Sequence, residues 1–327
     1  MKIAINGLGR IGRNVLRVAL SKNIEIVAIN DIMDINLAAY LLRFDTIRGN
    51  LDVEIIDKNT LKIKDNFIQY TTFSSPKETK FEDADVVFEC SGIFLTTNEA
   101  KEHIKGNVKK VILSAPPKDD TPMYVLGVNH KEYKNEAIIS NASCTTNCLA
   151  PIAKVIDEKY TIKKGFMSTI HSYTMDQRLL DAPNYKDIRR SRAAAENIIP
   201  TTTGAAKAIY KVLPNLKGKL DGKSIRVPVA NVSLMDLVLE LGSNVTESDI
   251  NELLEFHSLT DLKGIIEIDK EFKVSKDINS NPASAIVASD LTQANDNLIK
   301  LFAWYDNEWG YSNRIVEMAE YIFNFQK

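Results

Sequence analysis

One cysteine, one histidine and one glycine-rich turn are the residues of this chain whose types and spacing could do chemistry. Cys144 stands in Ser143-Cys144-Thr145-Thr146-Asn147-Cys148, after a short apolar run and before a segment, Thr145 to Ile156, that can form a helix. A sulfur at that position lies near N–H groups with no helical partner, a setting that favours thiolate over thiol and makes a nucleophile. A lone cysteine is ordinarily a small buried apolar residue, and that is the reading for Cys148, one helical turn on and followed by Leu149-Ala150-Pro151. His171 ends the apolar strand Phe166 to Ile170, so it could emerge at a strand edge facing the cysteine, where it would suit acid–base work. Spacing alone leaves the pairing of Cys144 with His171 open. His103, His130 and His257 have polar neighbours and are expected at the surface.

The glycine-rich turn is Asn6-Gly7-Leu8-Gly9-Arg10-Ile11-Gly12. Gly7 permits a tight turn, Gly9 lets the backbone approach a pyrophosphate, and Gly12 lets the helix pack on the strand, with the helix N-terminus facing the phosphates. A bare match of this kind also serves ordinary strand-to-helix turns. Here it follows a strand, opens a helix, and has Asp31 about 20 residues on, after the second strand, which points to a dinucleotide. Asp31 would accept hydrogen bonds from the adenosine ribose hydroxyls and repel a 2′-phosphate, favouring NAD over NADP; the alternative is a solvated turn residue. An enzyme that oxidises an aldehyde through a cysteine-bound intermediate needs both the turn and the sulfur.

The elements that must position these groups alternate along the first 143 residues. Lys2 to Asn6 reads as a strand, Ile11 to Leu20 as a helix and Ile24 to Ile29 as a second buried strand. Further strands are expected near Val53 to Ile56, Leu61 to Ile63, Val86 to Glu89, Val111 to Ser114 and Ala137 to Asn141, which argues an α/β class with a mainly parallel, doubly wound sheet. From about Ile225 the runs lengthen and alternate: Ile225 to Val229, Val232 to Leu241, a helix near Glu247 to His257, then Ala285 to Ala288 and Leu298 to Tyr305. That is the pattern of an α+β domain with an antiparallel or mixed sheet.

Composition bounds the function. A chain of 327 residues, 44% of them hydrophobic, is long for one core and suggests two domains. Its 41 basic and 43 acidic residues leave a formal net charge of -2, which gives no support to nucleic acid or a membrane as the primary partner. Three cysteines, two of them four residues apart in one expected helix, fit a cytoplasmic protein with reduced thiols. No apolar run approaches the roughly 18 residues of a membrane span, and Arg10 and Arg13 interrupt the place of a signal peptide's apolar region. No metal site is expected.

The whole chain resembles the phosphorylating glyceraldehyde-3-phosphate dehydrogenases. The matching segments are Ala142-Ser143-Cys144-Thr145-Thr146-Asn147-Cys148-Leu149-Ala150-Pro151, His171-Ser172-Tyr173-Thr174, Thr202-Thr203-Gly204-Ala205-Ala206-Lys207, Arg226-Val227-Pro228 and Trp304-Tyr305-Asp306-Asn307-Glu308-Trp309-Gly310-Tyr311-Ser312. The resemblance implies a Rossmann NAD-binding domain over residues 1–143 with 307–327 returning to it, and a catalytic domain over 144–306. It implies that Cys144 attacks the aldehyde while His171 moves the protons, and that glyceraldehyde 3-phosphate, inorganic phosphate and NAD meet there. Thr174 and Arg226 would hold the substrate phosphate. Ser143, Thr145, Thr203 and Gly204 would hold the attacking phosphate, and Arg190, with Arg189 and Arg192 in the loop from about Met175 to Ile199, would serve the anion sites and a subunit interface. Gly7, Gly9, Gly12 and the backbone of Arg10 and Ile11 fall to the pyrophosphate, Asp31 to the adenosine ribose, Ser114 to the nicotinamide ribose side, Asn307 to the nicotinamide carboxamide, and Tyr311 beside it. A homotetramer is implied as well.

Departures from the family pattern occur at Phe44-Asp45-Thr46-Ile47-Arg48-Gly49-Asn50, at Val227-Pro228-Val229-Ala230-Asn231, and at Ala182, where NAD-specific members commonly carry leucine. The last implies NAD preference with NADP tolerated. The alternatives are erythrose-4-phosphate dehydrogenase, a relative with the same nucleophile, and a non-catalytic NAD-binding interaction protein that keeps the fold.

Overall fold

Strand β1 (Lys2–Asn6) has Ile3, Ala4 and Ile5 buried without residue on either face, the signature of a strand at the centre of a covered parallel sheet. A computed structural model describes residues 1–325. The chain divides into two units, the first made of Met1–Val125, His130–Ser143 and the residues from Ser312 onward, the second of Leu126–Asn129 and Cys144–Tyr311.

In the first unit, β1 is flanked by β2 (Glu25–Asn30) and, further along the chain, β3 (Glu54–Asp57), β4 (Thr60–Ile63), β5 (Asn66–Thr71), β6 (Val86–Glu89), β7 (Lys110–Leu113) and β8 (Ile138–Ser140). The order is β3-β4-β5-β2-β1-β6-β7-β8; the run from β5 to β8 is parallel, and β3 and β4 add an antiparallel edge. This is the expected doubly wound α/β class, with chain order reversing beside β1, where ligands of such sheets bind. The expected strands fall within a residue or two of those found. β5 had no counterpart in the sequence reading, because its Asn-Phe-Ile-Gln-Tyr-Thr run is half exposed.

The second unit is built on β9 (Ile162–Ser172), β10 (Ile199–Thr202), β11 (Leu220–Val227), β12 (Ser233–Leu241), β13 (Ile266–Asp269), β14 (Ala285–Ala288), β15 (Gln293–Asn295) and β16 (Leu298–Tyr305). They form one mixed sheet in the order β10-β11-β9-β12-β16-β14-β13, with β15 beside β16. β12 and β16 alternate buried and half-buried residues, so Met235, Leu237, Leu239, Ile299, Leu301 and Ala303 line one covered face. Each such side chain contributes about 1.5–3 kcal/mol on burial. The helix Cys144–Tyr160 is buried from Thr145 to Ala153 without a break, so its first turn is held rigidly. Among the described residues no helix is long and apolar enough to cross a membrane.

Candidate active site

Strand register gathers the site at one end of the second sheet. His171 lies at the end of β9, and β11 pairs with β9 in parallel so that Arg226 stands opposite His171. On the other side, β12 begins at Ser233, which pairs with Tyr305, the last residue of β16. Side chains at paired positions share a face, so sequence-distant groups converge without any loop to place them.

Cys144 is the first residue of its helix, one position earlier than the helical pattern suggests, and its Sγ lies 3.8 Å from His171 Nε2. The pairing that spacing left open is therefore present. His171 Nδ1 is 2.7 Å from the carbonyl oxygen of Ser172 and 2.8 Å from Arg226 NH1, which itself donates to that carbonyl at 2.9 Å. The tautomer carrying its proton on Nδ1 donates to Ser172 O and leaves Nε2 as an acceptor toward the sulfur, the form a base requires. Burial first, and the Arg226 charge second, hold His171 down to about 4, so the imidazole is neutral at physiological pH.

The helix start is opposed by burial at Cys144. Burial pushes the Cys144 thiol up, outweighing the Thr145 hydroxyl, the Arg226 charge and the helix-start N–H groups that favour the anion. Burial thus favours the thiol beside an imidazole that is itself held neutral. Cys148 is fully buried, as read, and burial pushes its thiol well up.

Tyr305 was not singled out in the sequence. Its hydroxyl lies 3.0 Å from Thr145 Oγ1 and 2.7 Å from Thr169 Oγ1, and its ring meets the His171 ring edge-on with centroids 6.0 Å apart. Thr145 is thus tied to the strand that carries His171. Burial raises the Tyr305 phenol, so it stays a neutral donor.

Three of the groups assigned to anions, Thr174, Arg190 and Arg226, converge on a carboxylate the sequence reading passed over. Asp176 accepts from Thr174 Oγ1, pairs with Arg190 NH1, and lies 3.9 Å from Arg226 NH2. Burial raises the Asp176 carboxyl, but the Thr174 hydroxyl and the Arg226 and Arg190 charges prevail and hold it below the usual range. Arg190 further donates to Thr201 Oγ1 and Thr202 O, which lead into Thr203 and Gly204. Ser143 is half buried directly before Cys144. The one available signal for Asp176 was its position two residues after Thr174, the spacing of a local hydroxyl–carboxylate turn.

In the first unit the glycine turn fits a dinucleotide. Gly7 has φ +93°, and a Cβ there would fall 2.5 Å from Ser91 N; a Cβ on Gly12 would fall 2.0 Å from Gly7 O. Gly9 faces open space, which leaves its backbone approachable, and Gly9 itself brings no side chain to cap the helix Arg10–Ser21 that follows. Arg10 and Ile11 open that helix, and the Arg10 side chain is turned to Asp45 at 2.5 Å. Asp31 accepts from Leu8 N at 2.5 Å and Met33 N at 3.0 Å, so it braces the turn it follows. Ser114 N donates to Glu89 O at 3.0 Å, at the β6–β7 end of the sheet.

His103 is corrected. It is 1% exposed, with Nε2 3.0 Å from the buried Glu89 carboxylate and its ring stacked on Phe81. Its polar sequence neighbours face solvent on a turn whose other side is core. Glu89 also accepts from Asn6 Nδ2 and from Ser91 N and Oγ.

Comparison with known proteins decides the family. Residues 143–307 match the model of the glyceraldehyde 3-phosphate dehydrogenase C-terminal domain, and residues 1–97 match the NAD binding domain of the same family. The chain is 49% identical to a glyceraldehyde-3-phosphate dehydrogenase of Priestia megaterium and 48% identical to glyceraldehyde-3-phosphate dehydrogenase 1 of Bacillus subtilis, each over 98% of both chains. A glyceraldehyde-3-phosphate dehydrogenase of Haloarcula vallismortis is 45% identical over the same share.

The chain belongs to the glyceraldehyde-3-phosphate dehydrogenase family.

Asn307 follows β16 and is 6% exposed. Its Oδ1 accepts from Ser172 Oγ at 2.9 Å, a serine of the His171–Thr174 segment, and from Ser233 Oγ at 3.1 Å, which no sequence signal picked out. Tyr311 is buried in the first turn of the helix Trp309–Asn324.

Proposed function

We propose that this chain oxidises glyceraldehyde 3-phosphate to 1,3-bisphosphoglycerate with NAD and inorganic phosphate. The observation that carries the reading is the 3.8 Å approach of Cys144 Sγ to His171 Nε2 at the first turn of a buried helix. As Cys144 Sγ attacks the aldehyde carbon, His171 Nε2 takes the thiol proton and passes it to the former carbonyl oxygen, which becomes a hemithioacetal hydroxyl and leaves Nε2 free again. His171 then takes that hydroxyl proton as the carbon gives up its hydride, leaving a thioester on Cys144. NAD, when bound, supplies the hydride acceptor. A phosphate oxygen attacks the thioester carbonyl, the sulfur leaves, and Cys144 recovers its proton. The Cys144 N–H and the imidazole are the donors available to the oxyanion at each tetrahedral stage.

In this reading Thr174 and Arg226 hold the substrate phosphate. Ser143, Thr145, Arg190, Thr203 and Gly204 serve the attacking phosphate, hydroxyls, N–H groups and a guanidinium being suited to its oxygens. Gly7, Gly9, Arg10, Ile11, Gly12, Asp31 and Ser114 serve the dinucleotide, and Asn307 and Tyr311 its nicotinamide. Residues 1–143 with 307–327 form the NAD-binding domain and 144–306 the catalytic domain. NAD is preferred, with NADP tolerated. The protein works in the cytoplasm as a homotetramer; exposed Phe166, Leu179, Leu180, Tyr185 and Ile188 on the second unit support burial against further copies.

The test is NADH formation with glyceraldehyde 3-phosphate, with and without inorganic phosphate, alongside Cys144→Ser. Sustained turnover that needs both phosphate and Cys144 supports the reading. Turnover without phosphate rejects the phosphorylating step, and turnover only with erythrose 4-phosphate moves the chain to the alternative activity.

A further inference from the structure

We infer that Ser233 is a positioning residue for the nicotinamide end of the cofactor and acts through the side-chain amide of Asn307. The inference rests on the reading above that Asn307 receives the carboxamide. Ser233 opens β12 opposite Tyr305, and Asn307 lies two residues beyond Tyr305. Ser172 closes β9, next to β12 in the sheet. Three side chains from three strand ends therefore meet, with Ser172 at 0%, Ser233 at 1% and Asn307 at 6% exposure.

The hydrogen bonds among them have a direction. The Ser172 backbone N–H donates to Ser233 Oγ at 3.2 Å, so that oxygen is an acceptor, and the hydroxyl's own proton goes to Asn307 Oδ1 at 3.1 Å. Ser172 Oγ donates to the same Oδ1 at 2.9 Å. Two hydroxyl donors on one carbonyl oxygen distinguish the ends of an amide that otherwise flips readily. With the amide reversed, Ser233 Oγ would face two donors, the Ser172 N–H and Asn307 Nδ2, and its proton would lose its acceptor. Leaving buried polar groups mismatched in this way is costly. The amide is thus pinned with Nδ2 turned away from the serines and kept as a donor. Under the reading that Asn307 receives the nicotinamide, the carboxamide oxygen is the acceptor it meets.

The prediction separates the two ends of the cofactor. NAD and ADP-ribose, which lacks the nicotinamide, are titrated calorimetrically into the wild-type protein, Ser233→Ala and Ser233→Thr. Ser233→Ala weakens NAD about ten-fold, the loss expected for one well-placed hydrogen bond, and leaves ADP-ribose within about two-fold. Ser233→Thr, which keeps the hydroxyl, recovers most of the NAD affinity. Unchanged NAD affinity, or equal weakening of NAD and ADP-ribose, overturns the inference. If Ser233→Ala does not fold, Ser172→Ala removes the second donor to the same oxygen and must show the same NAD-only loss, smaller in size. A wild-type protein that binds neither ligand rejects the NAD reading itself, a failure distinct from the others.

Discussion

Arg226 NH1 stands 2.8 Å from His171 Nδ1, across directly paired positions of β11 and β9. A guanidinium is always charged in a protein, so this neighbour permanently disfavours a second positive charge on the imidazole. Burial acts in the same direction. The imidazole is kept unprotonated by its place in the sheet, and under the proposed function the same arginine would meet the substrate anion.

That depression links stability to pH. His171 titrates near 6.5 when unfolded and at about 4 in the fold, so between those values the unfolded chain binds a proton the folded chain refuses. Stability is fully present above the unfolded value and falls as pH drops through the window, by about 3 kcal/mol in all. Urea unfolding across this range should show the loss, and His171→Asn should remove its share. A His171→Asn protein with the wild-type pH slope would mean that other groups govern it.

Arg226→Ala should weaken both roles of the arginine at once, while burial, the larger cause of the His171 depression, remains. The His171 pKa rises toward its ordinary value, moving the acid limb of the activity profile upward, and kcat/KM for glyceraldehyde 3-phosphate falls about 100-fold through loss of a charge-assisted hydrogen bond. With unphosphorylated glyceraldehyde the second penalty disappears and only the shift in the pH profile remains. Equal losses on both aldehydes would place Arg226 away from the substrate phosphate.

Tyr305→Phe should destabilise the protein by about 1–3 kcal/mol, because the Thr145 and Thr169 hydroxyls lose a shared buried partner while the ring stays in place. Thermal unfolding measures the effect. Tyr305→Phe in a background carrying both Thr145→Val and Thr169→Val should stabilise instead, since there the buried phenol is itself the orphaned hydroxyl.

The glycine turn, the first parallel strands and the cysteine at a helix start were legible because each is written in local chemistry: glycines at fixed offsets, a continuous apolar run, a cysteine before a helical pattern. Tyr305, Asp176 and Ser233 were not. Their partners lie across a strand pairing or a loop closure, and nothing near them in sequence announces a neighbour that register supplies. His103 misled for the opposite reason, since Lys101 and Glu102 describe the solvent side of its turn and are silent about Glu89 beneath it. The helix start at Cys144 was legible, but the burial that opposes its pull toward thiolate was not, because burial is set by the packing of the whole unit.

Two glycines of the turn should separate folding from cofactor binding. Gly12 is closed in, because an added Cβ would lie 2.0 Å from the Gly7 carbonyl oxygen, and backbone cannot move aside as a flexible side chain can. Gly12→Ala should therefore lower the stability of the free protein and disturb the whole turn. Gly9 has φ −68° and nothing within 4 Å of an added Cβ, so alanine adopts its conformation without strain. Gly9→Ala should leave the unfolding midpoint of the free protein essentially unchanged while weakening NAD by at least about ten-fold, because the new methyl group stands where a pyrophosphate must approach the backbone. Adding NAD to the wild-type protein should raise its unfolding temperature, and the Gly9→Ala protein should lose that rise. A Gly9→Ala protein that keeps full NAD stabilisation would show that the pyrophosphate does not pass over this residue.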